Sequence, residues 1–132
     1  MREYAVERPF TLTWEQRQVV ARARELITDK KHWSQKQCAR YLADTGEYKA
    51  CSAFDPEAVK FDAYGALTRA AYERSGDKTV ASKLADAIEN SIAHPADARF
   101  RISLVDFSDK HGHQAALELF DKILSDKVFI VE

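Results

Sequence analysis

Apolar side chains recur along this chain at intervals of three and four residues, a period that predicts helices. Val19, Val20, Ala23, Leu26 and Ile27 form one stripe, while Arg17, Arg22, Arg24 and Glu25 occupy the rest of the turn. Thr13-Trp14-Glu15-Gln16 stands just ahead in the form of a capping box, with the Thr13 hydroxyl and the Gln16 amide able to satisfy free backbone donors. A first helix is therefore expected from Thr13 to about Lys31. Ser34-Gln35-Lys36-Gln37 repeats the capping signal before Cys38, Tyr41 and Leu42, and Asp44-Thr45-Gly46 stops the pattern, so a brief second helix is expected there. Gly46 to Phe54 has no period and reads as a loop.

Asp55 as cap and Pro56 at the first helical position predict a third helix closing at Ser75-Gly76. It is too apolar for a surface helix and is expected to form the centre of the core. Gly65 in its middle costs about 1 kcal/mol against alanine, which implies that another helix passes too close to admit a β-carbon. A fourth helix from Asp77 carries Val80, Ala81, Leu84, Ala85, Ile88 and Ile92 and ends at His94-Pro95. Phe100 to Phe107 reads as a short helix, although Phe100, Ile102 and Leu104 also alternate as in a strand. After a polar turn over Ser108-Asp109-Lys110-His111-Gly112, a last helix from His113 to Leu124 buries Ala116, Leu117, Phe120 and Ile123. Val128 to Val131 is an apolar, β-branched tail that docks as an extended arm or pairs with another chain's edge. The fold expected is all-α: one domain over residues 1–132, a compact bundle of five to six helices around a buried central helix, with an extended C-terminal arm.

Charge narrows the partners. Twenty Lys and Arg against twenty-one Asp and Glu leave a net charge of −1 across 132 residues, so no global field draws in nucleic acid or an anionic membrane. No apolar run approaches the ~20 residues that span a bilayer. Met1 to Pro9 is charged, without the apolar stretch of a signal peptide, which makes Cys38 and Cys51 reduced thiols in the cytoplasm.

Several segments together resemble a known family. Trp33-Ser34-Gln35, the glycine loop at Gly46, Asp55-Pro56-Glu57-Ala58-Val59 leading into Phe61-Asp62-Ala63-Tyr64-Gly65-Ala66-Leu67-Thr68-Arg69-Ala70, and Val105-Asp106-Phe107-Ser108-Asp109 resemble small bacterial and phage proteins grouped as a domain of unknown function. Gly65-Ala66-Leu67 with Arg69-Ala70 is the most specific part. Asp62 stands where that family commonly has cysteine, and Phe107-Ser108-Asp109 where tryptophan, asparagine and aspartate are usual. The resemblance implies a helical domain and no activity.

Candidate chemistry is sparse. Asp62, in the middle of the expected third helix, must find hydrogen bonds or a cation if buried, and Arg69 lies about two turns further along the same face, with Tyr72 beyond. These three are the candidate binding residues, with Asp62 read as a tie between helices or as a pocket acid. Gly65, Asp55, Pro56 and Trp33 are read as structural. His111 and His113 with Asp109 are the weak candidates for a metal, because alternate residues on a turn lack the i, i+4 geometry of a strong site. Cys38 or Cys51 with His32 as base would make a nucleophile, yet Cys38 sits on an apolar helical face, where a free cysteine behaves as a small hydrophobe. Ser34 to Thr45 resembles the first helix of a helix-turn-helix reader, but only Lys49 follows as a cation before Asp55. No phosphate loop, nucleophile elbow or dinucleotide fingerprint occurs, and no cofactor is expected. The leading expectation is a non-catalytic module that binds a protein partner or small ligand, possible as a homodimer. A DNA-binding regulator and an enzyme with a pocket acid at Asp62 are the alternatives.

Overall fold

The computed structural model describes residues 12–92 and 101–125. The described residues open with helix α1 (Trp14–Leu26), followed by a single 3-10 turn (Lys30–His32). Three short strands come next, β1 (Ala39–Leu42), β2 (Tyr48–Ala50) and β3 (Ala58–Phe61). Helices α2 (Ala63–Ser75), α3 (Lys78–Asn90) and α4 (Leu104–Leu124) complete the described chain. The expectation of an all-α bundle of five to six helices is thus corrected, among the described residues, to four helices and a three-stranded antiparallel sheet of order β2-β1-β3.

The sheet occupies the stretch read as the second helix, the loop and the first turn of the third helix. Ser34 does not cap a helix: its hydroxyl donates to the Gln37 carbonyl at 2.6 Å, its N–H goes to Phe61 O, and Lys36 turns to φ 72°. Asp44-Thr45-Gly46 stops no helix either. It forms the β1–β2 hairpin, closed by Gly46 N–H to Ala43 O with Gly46 at φ 88°, where glycine carries no steric cost. Asp55-Pro56 opens a turn rather than a helix, with the Asp55 carboxylate accepting from Glu57 N–H at 2.8 Å and Ala58 N–H returning to Asp55 O. Proline at the second position and an aspartate that accepts from the backbone two residues on suit a turn as well as a helix start. β1 pairs with β3 through Ala39↔Phe61 and Arg40↔Lys60, then slips at a bulge so that Tyr41 faces Ala58.

The helices follow their stripes more closely. The Thr13–Gln16 capping box is present in both directions at 3.1 Å, and Val19, Val20, Ala23 and Ile27 are buried, although α1 ends at Leu26 instead of Lys31. α2 is the central helix, touching α1, α3, α4 and β3. Its buried face of Ala63, Ala66, Leu67, Ala70 and Ala71 is small enough for close packing. Asp77 caps α3, which buries Ala81, Ala85 and Ile88 but leaves Val80 exposed; the helix ends at Asn90, short of the expected His94-Pro95, which, like the arm over 128–131, lies outside the described residues. The expected polar turn is helical through His111 and breaks at Gly112, whose φ 82° and ψ −170° divide α4 into two halves. The second half buries Ala116, Leu117, Phe120 and Ile123, as their spacing predicts.

Candidate functional site

Asp62 sits at the junction of β3 and α2, as the N-cap of α2 and not inside a helix. The strand delivers it into the core, where it is wholly buried. Its Oδ1 accepts from Gly65 N–H at 2.7 Å, and its own N–H donates to Cys38 O at 3.1 Å. Oδ2 has no hydrogen-bond partner; the Cys38 thiol beside the carboxyl eases its charge without reaching it in hydrogen-bonding geometry. Burial raises the Asp62 pKa to about 7, the Gly65 N–H works against that shift, and the Asp109 charge adds to it. The Cys38 thiol is pushed up to about 11, first by its own burial and then by Asp62, so it is no thiolate nucleophile at neutral pH.

Gly65 is a point of close approach, as expected, but its neighbour is the backbone before β1 and not a helix. A β-carbon there would lie 1.9 Å from Cys38 O. Ser108, fully buried on α4, accepts from Ala63 N–H at 3.1 Å and so fills a second free donor of the α2 start. Gln35 completes the junction. Its amide donates to Ser108 O at 3.0 Å and Asp109 O at 2.9 Å, while its carbonyl oxygen accepts from Trp33 Nε1 at 2.8 Å. Ser108 escapes a reading of the sequence because it sits in a stretch that looks like a polar turn, and Gln35 because Ser34-Gln35-Lys36-Gln37 looks like a helix cap.

The structure does not bring Asp62, Arg69 and Tyr72 together. Arg69 turns away to donate to the carbonyls of Ala53 and Asp55 at 3.0 and 2.6 Å, and the Tyr72 ring meets Phe54 edge-on at 5.0 Å. Both residues hold the turn that leads into β3, with Asp55 and Pro56 inside it. Trp33 is nearly buried, bridges to Phe61 and stacks on His113 at 5.4 Å. The His111, His113 and Asp109 candidates also part company: His113 Nε2 lies against Ile27 O, the His111 ring lies on Phe107 at 4.8 Å, and Asp109 Oδ1 accepts from Lys36 N–H. Among the described residues no three His, Cys, Asp or Glu side chains are grouped as a metal would need.

Away from this junction the surface of the described residues is open in places. A cleft of about 320 Å³ between α1 and α2 is lined by Arg22, Glu25, Glu73 and Arg74, whose charges neutralise one another through Arg22–Glu73 at 2.8 Å and Arg22–Glu25 at 3.2 Å. A smaller cavity of about 180 Å³ lies along the first half of α4, lined by Arg101, Ser103, Asp106, Phe107, Lys110 and His111. Arg101 is fixed there by its Nε donating to Asn90 O at 2.6 Å. Sequence spacing holds the signal for this cavity, since Ser103, Asp106, Phe107 and Lys110 are i, i+3, i+4 and i+7, but only once the segment is known to be helical.

No helix of the described residues is long and apolar enough to cross a membrane. Comparison with curated proteins and with solved structures gives no match. A family profile matches residues 14–124, a span that takes in both the Asp62 junction and the α4 cavity: the chain belongs to the family of unknown function DUF6197.

Proposed function

We propose that this protein is a non-catalytic, cytoplasmic interaction module that captures an extended segment of a partner protein, apolar and acidic, on its small sheet. The observation that carries the reading is the placement of exposed apolar surface. Five large hydrophobic side chains are exposed among the described residues, and three of them, Leu42, Tyr48 and Val59, belong to the three short strands. Leu42 and Tyr48 face each other across β1 and β2, and Lys60 reaches over the Tyr48 ring at 4.3 Å, so Leu42, Tyr48 and Lys60 share the face that also carries Arg40. Apolar contacts flanked by cations suit a segment that alternates hydrophobic and acidic residues. β2 lies at the sheet edge with all three residues exposed, in the position where an added strand would pair through its backbone.

The alternatives lose their structural footing. Asp62 is wholly buried, so its carboxyl does not meet a substrate from solvent. The segment read as the first helix of a helix-turn-helix contains strand β1. Selection of a displayed random-peptide library on the immobilised protein tests the proposal. Recovered peptides should alternate apolar and acidic residues, and Leu42→Asp with Tyr48→Asp should weaken them at least about tenfold, a loss of ~1.4 kcal/mol. Both side chains are about half exposed, so the double variant should keep its fold. Peptides that bind the double variant equally well would sink the reading.

A further inference from the structure

The cavity on the first half of α4 differs from every other charged surface described above in that its cations are not cancelled by built-in partners. We propose that it binds a small phosphate-class oxyanion, inorganic phosphate or the phosphate of a small monoester. This goes beyond the sheet-docking function and rests on different residues. Arg101 and Lys110 bring two positive charges to the lining, against, among the described residues, the single carboxylate of Asp106. Arg101 spends only its Nε, on the Asn90 carbonyl at 2.6 Å, which orients the guanidinium and leaves its terminal nitrogens as donors. Lys110 makes no hydrogen bond or ion pair with another described residue. The Ser103 hydroxyl, which accepts from Asp106 N–H at 3.3 Å, keeps its own proton to donate, and the His111 imidazole lines the same wall, resting on Phe107.

The helix terminus is not what makes this a site. The Leu104 N–H is already taken by Glu89 Oε2 at 2.8 Å and the Asp106 N–H by Ser103, so the recognition is by side chains. A volume of about 180 Å³ corresponds to roughly six waters at ~30 Å³ each, enough for a tetrahedral oxyanion and a few more atoms. Asp106 then sets the choice among oxyanions. Near neutral pH inorganic phosphate keeps a proton that it can donate to the carboxylate, and a monoester, whose second proton leaves near pH ~6, takes one up again at small cost, whereas sulfate has the same shape and no proton and would leave two anions facing each other.

Titration of the ¹⁵N-labelled protein by NMR, with inorganic phosphate, O-phosphoserine, sulfate and chloride at matched ionic strength, decides the matter. Phosphate or phosphoserine should give saturable shifts confined to residues around 101–111, with sulfate at least about tenfold weaker. Tighter phosphoserine would identify a monoester, and equal or tighter phosphate the free ion. Lys110→Gln and Arg101→Gln should each weaken phosphate about tenfold, and Asp106→Asn should bring sulfate level with phosphate. The amide spectrum itself reports that each variant is folded. Shifts that sulfate or chloride reproduces in full, that fail to saturate, or that survive both cation replacements overturn the proposal.

Discussion

Replacing Asp62 by asparagine separates the shape of that side chain from its charge. Asparagine keeps the oxygen that accepts from Gly65 N–H and is an equally good N-cap, but it never ionises. The native carboxyl titrates near 7 against an ordinary 3.8, because it is buried with one oxygen unpartnered and Asp109 nearby. The folded protein therefore holds a proton that the unfolded chain releases between pH ~4 and ~7. A raised acid of this kind contributes stability in full below pH ~4 and loses it as pH rises through ~7, the reverse of a salt-bridged aspartate. About three pKa units at ~1.36 kcal/mol each put the ceiling at about 4 kcal/mol. Other acids titrate over the same range, with Glu89 raised by burial and Asp121 held down by Arg24, so the informative quantity is the difference between variant and wild type. Urea unfolding from pH 4 to pH 8.5 should show Asp62→Asn gaining on the wild type by up to about 4 kcal/mol, with the change centred between pH 5 and 7. A difference that stays flat within about 0.5 kcal/mol across that range would show that water or a cation reaches Oδ2 and that the carboxyl is ionised throughout.

What the sequence reveals of this fold depends on how far apart the interacting residues are. The α1 stripe and the second half of α4 are legible because each holds several turns of periodic apolar residues whose burial needs only one facing surface. The sheet is not, because its strands are three or four residues long, too short to display alternation, and they are defined by pairing between residues as distant as Ala39 and Phe61. Ser34 and Asp55 mislead for a specific reason: short polar side chains that accept or donate to nearby backbone serve turns and helix caps alike. Asp62 is the informative contrast. Read as an acid inside a helix it needs Arg69; placed by β3 at the start of α2 it needs the backbone donors of that helix, and Arg69 is free to clamp the preceding turn instead. The α4 cavity fails to show for a related reason. Ser103, Asp106, Phe107 and Lys110 lie along one helical face, but Gly112 and the polar run before it look like a loop until the helix is seen to continue to His111.

Three further experiments test the geometry at single positions. Cys38 should react with iodoacetamide at pH 7.5 on the order of a hundredfold more slowly than an ordinary thiol, since a pKa near 11 in place of 9.0 leaves about that much less thiolate; a rate typical of a free cysteine would contradict its burial beside Asp62. Gly112→Ala should cost about 1–3 kcal/mol in denaturant melts through backbone strain alone, because φ 82° and ψ −170° exclude a side chain while nothing lies within 4 Å of the added carbon. An unchanged melt would mean that α4 runs straight through this point. Gly65→Ala asks whether the close approach at the α2 start is real. In an open helix alanine would stabilise by about 1 kcal/mol. Here its β-carbon would fall 1.9 Å from Cys38 O and 2.8 Å from Cys38 C, and that backbone cannot swing aside as a flexible side chain could. Moving it breaks the Asp62 N–H bond to the same carbonyl, at about 0.5–1.5 kcal/mol, and adds an overpacking cost of about 1–3 kcal/mol. The propensity gain offsets only part of this, so thermal or urea melts should show a net loss of about 1–3 kcal/mol. A neutral or stabilising Gly65→Ala would mean that the segment before β1 does not cross α2 where the structure places it, and the buried setting of Asp62, which depends on that crossing, would fall with it.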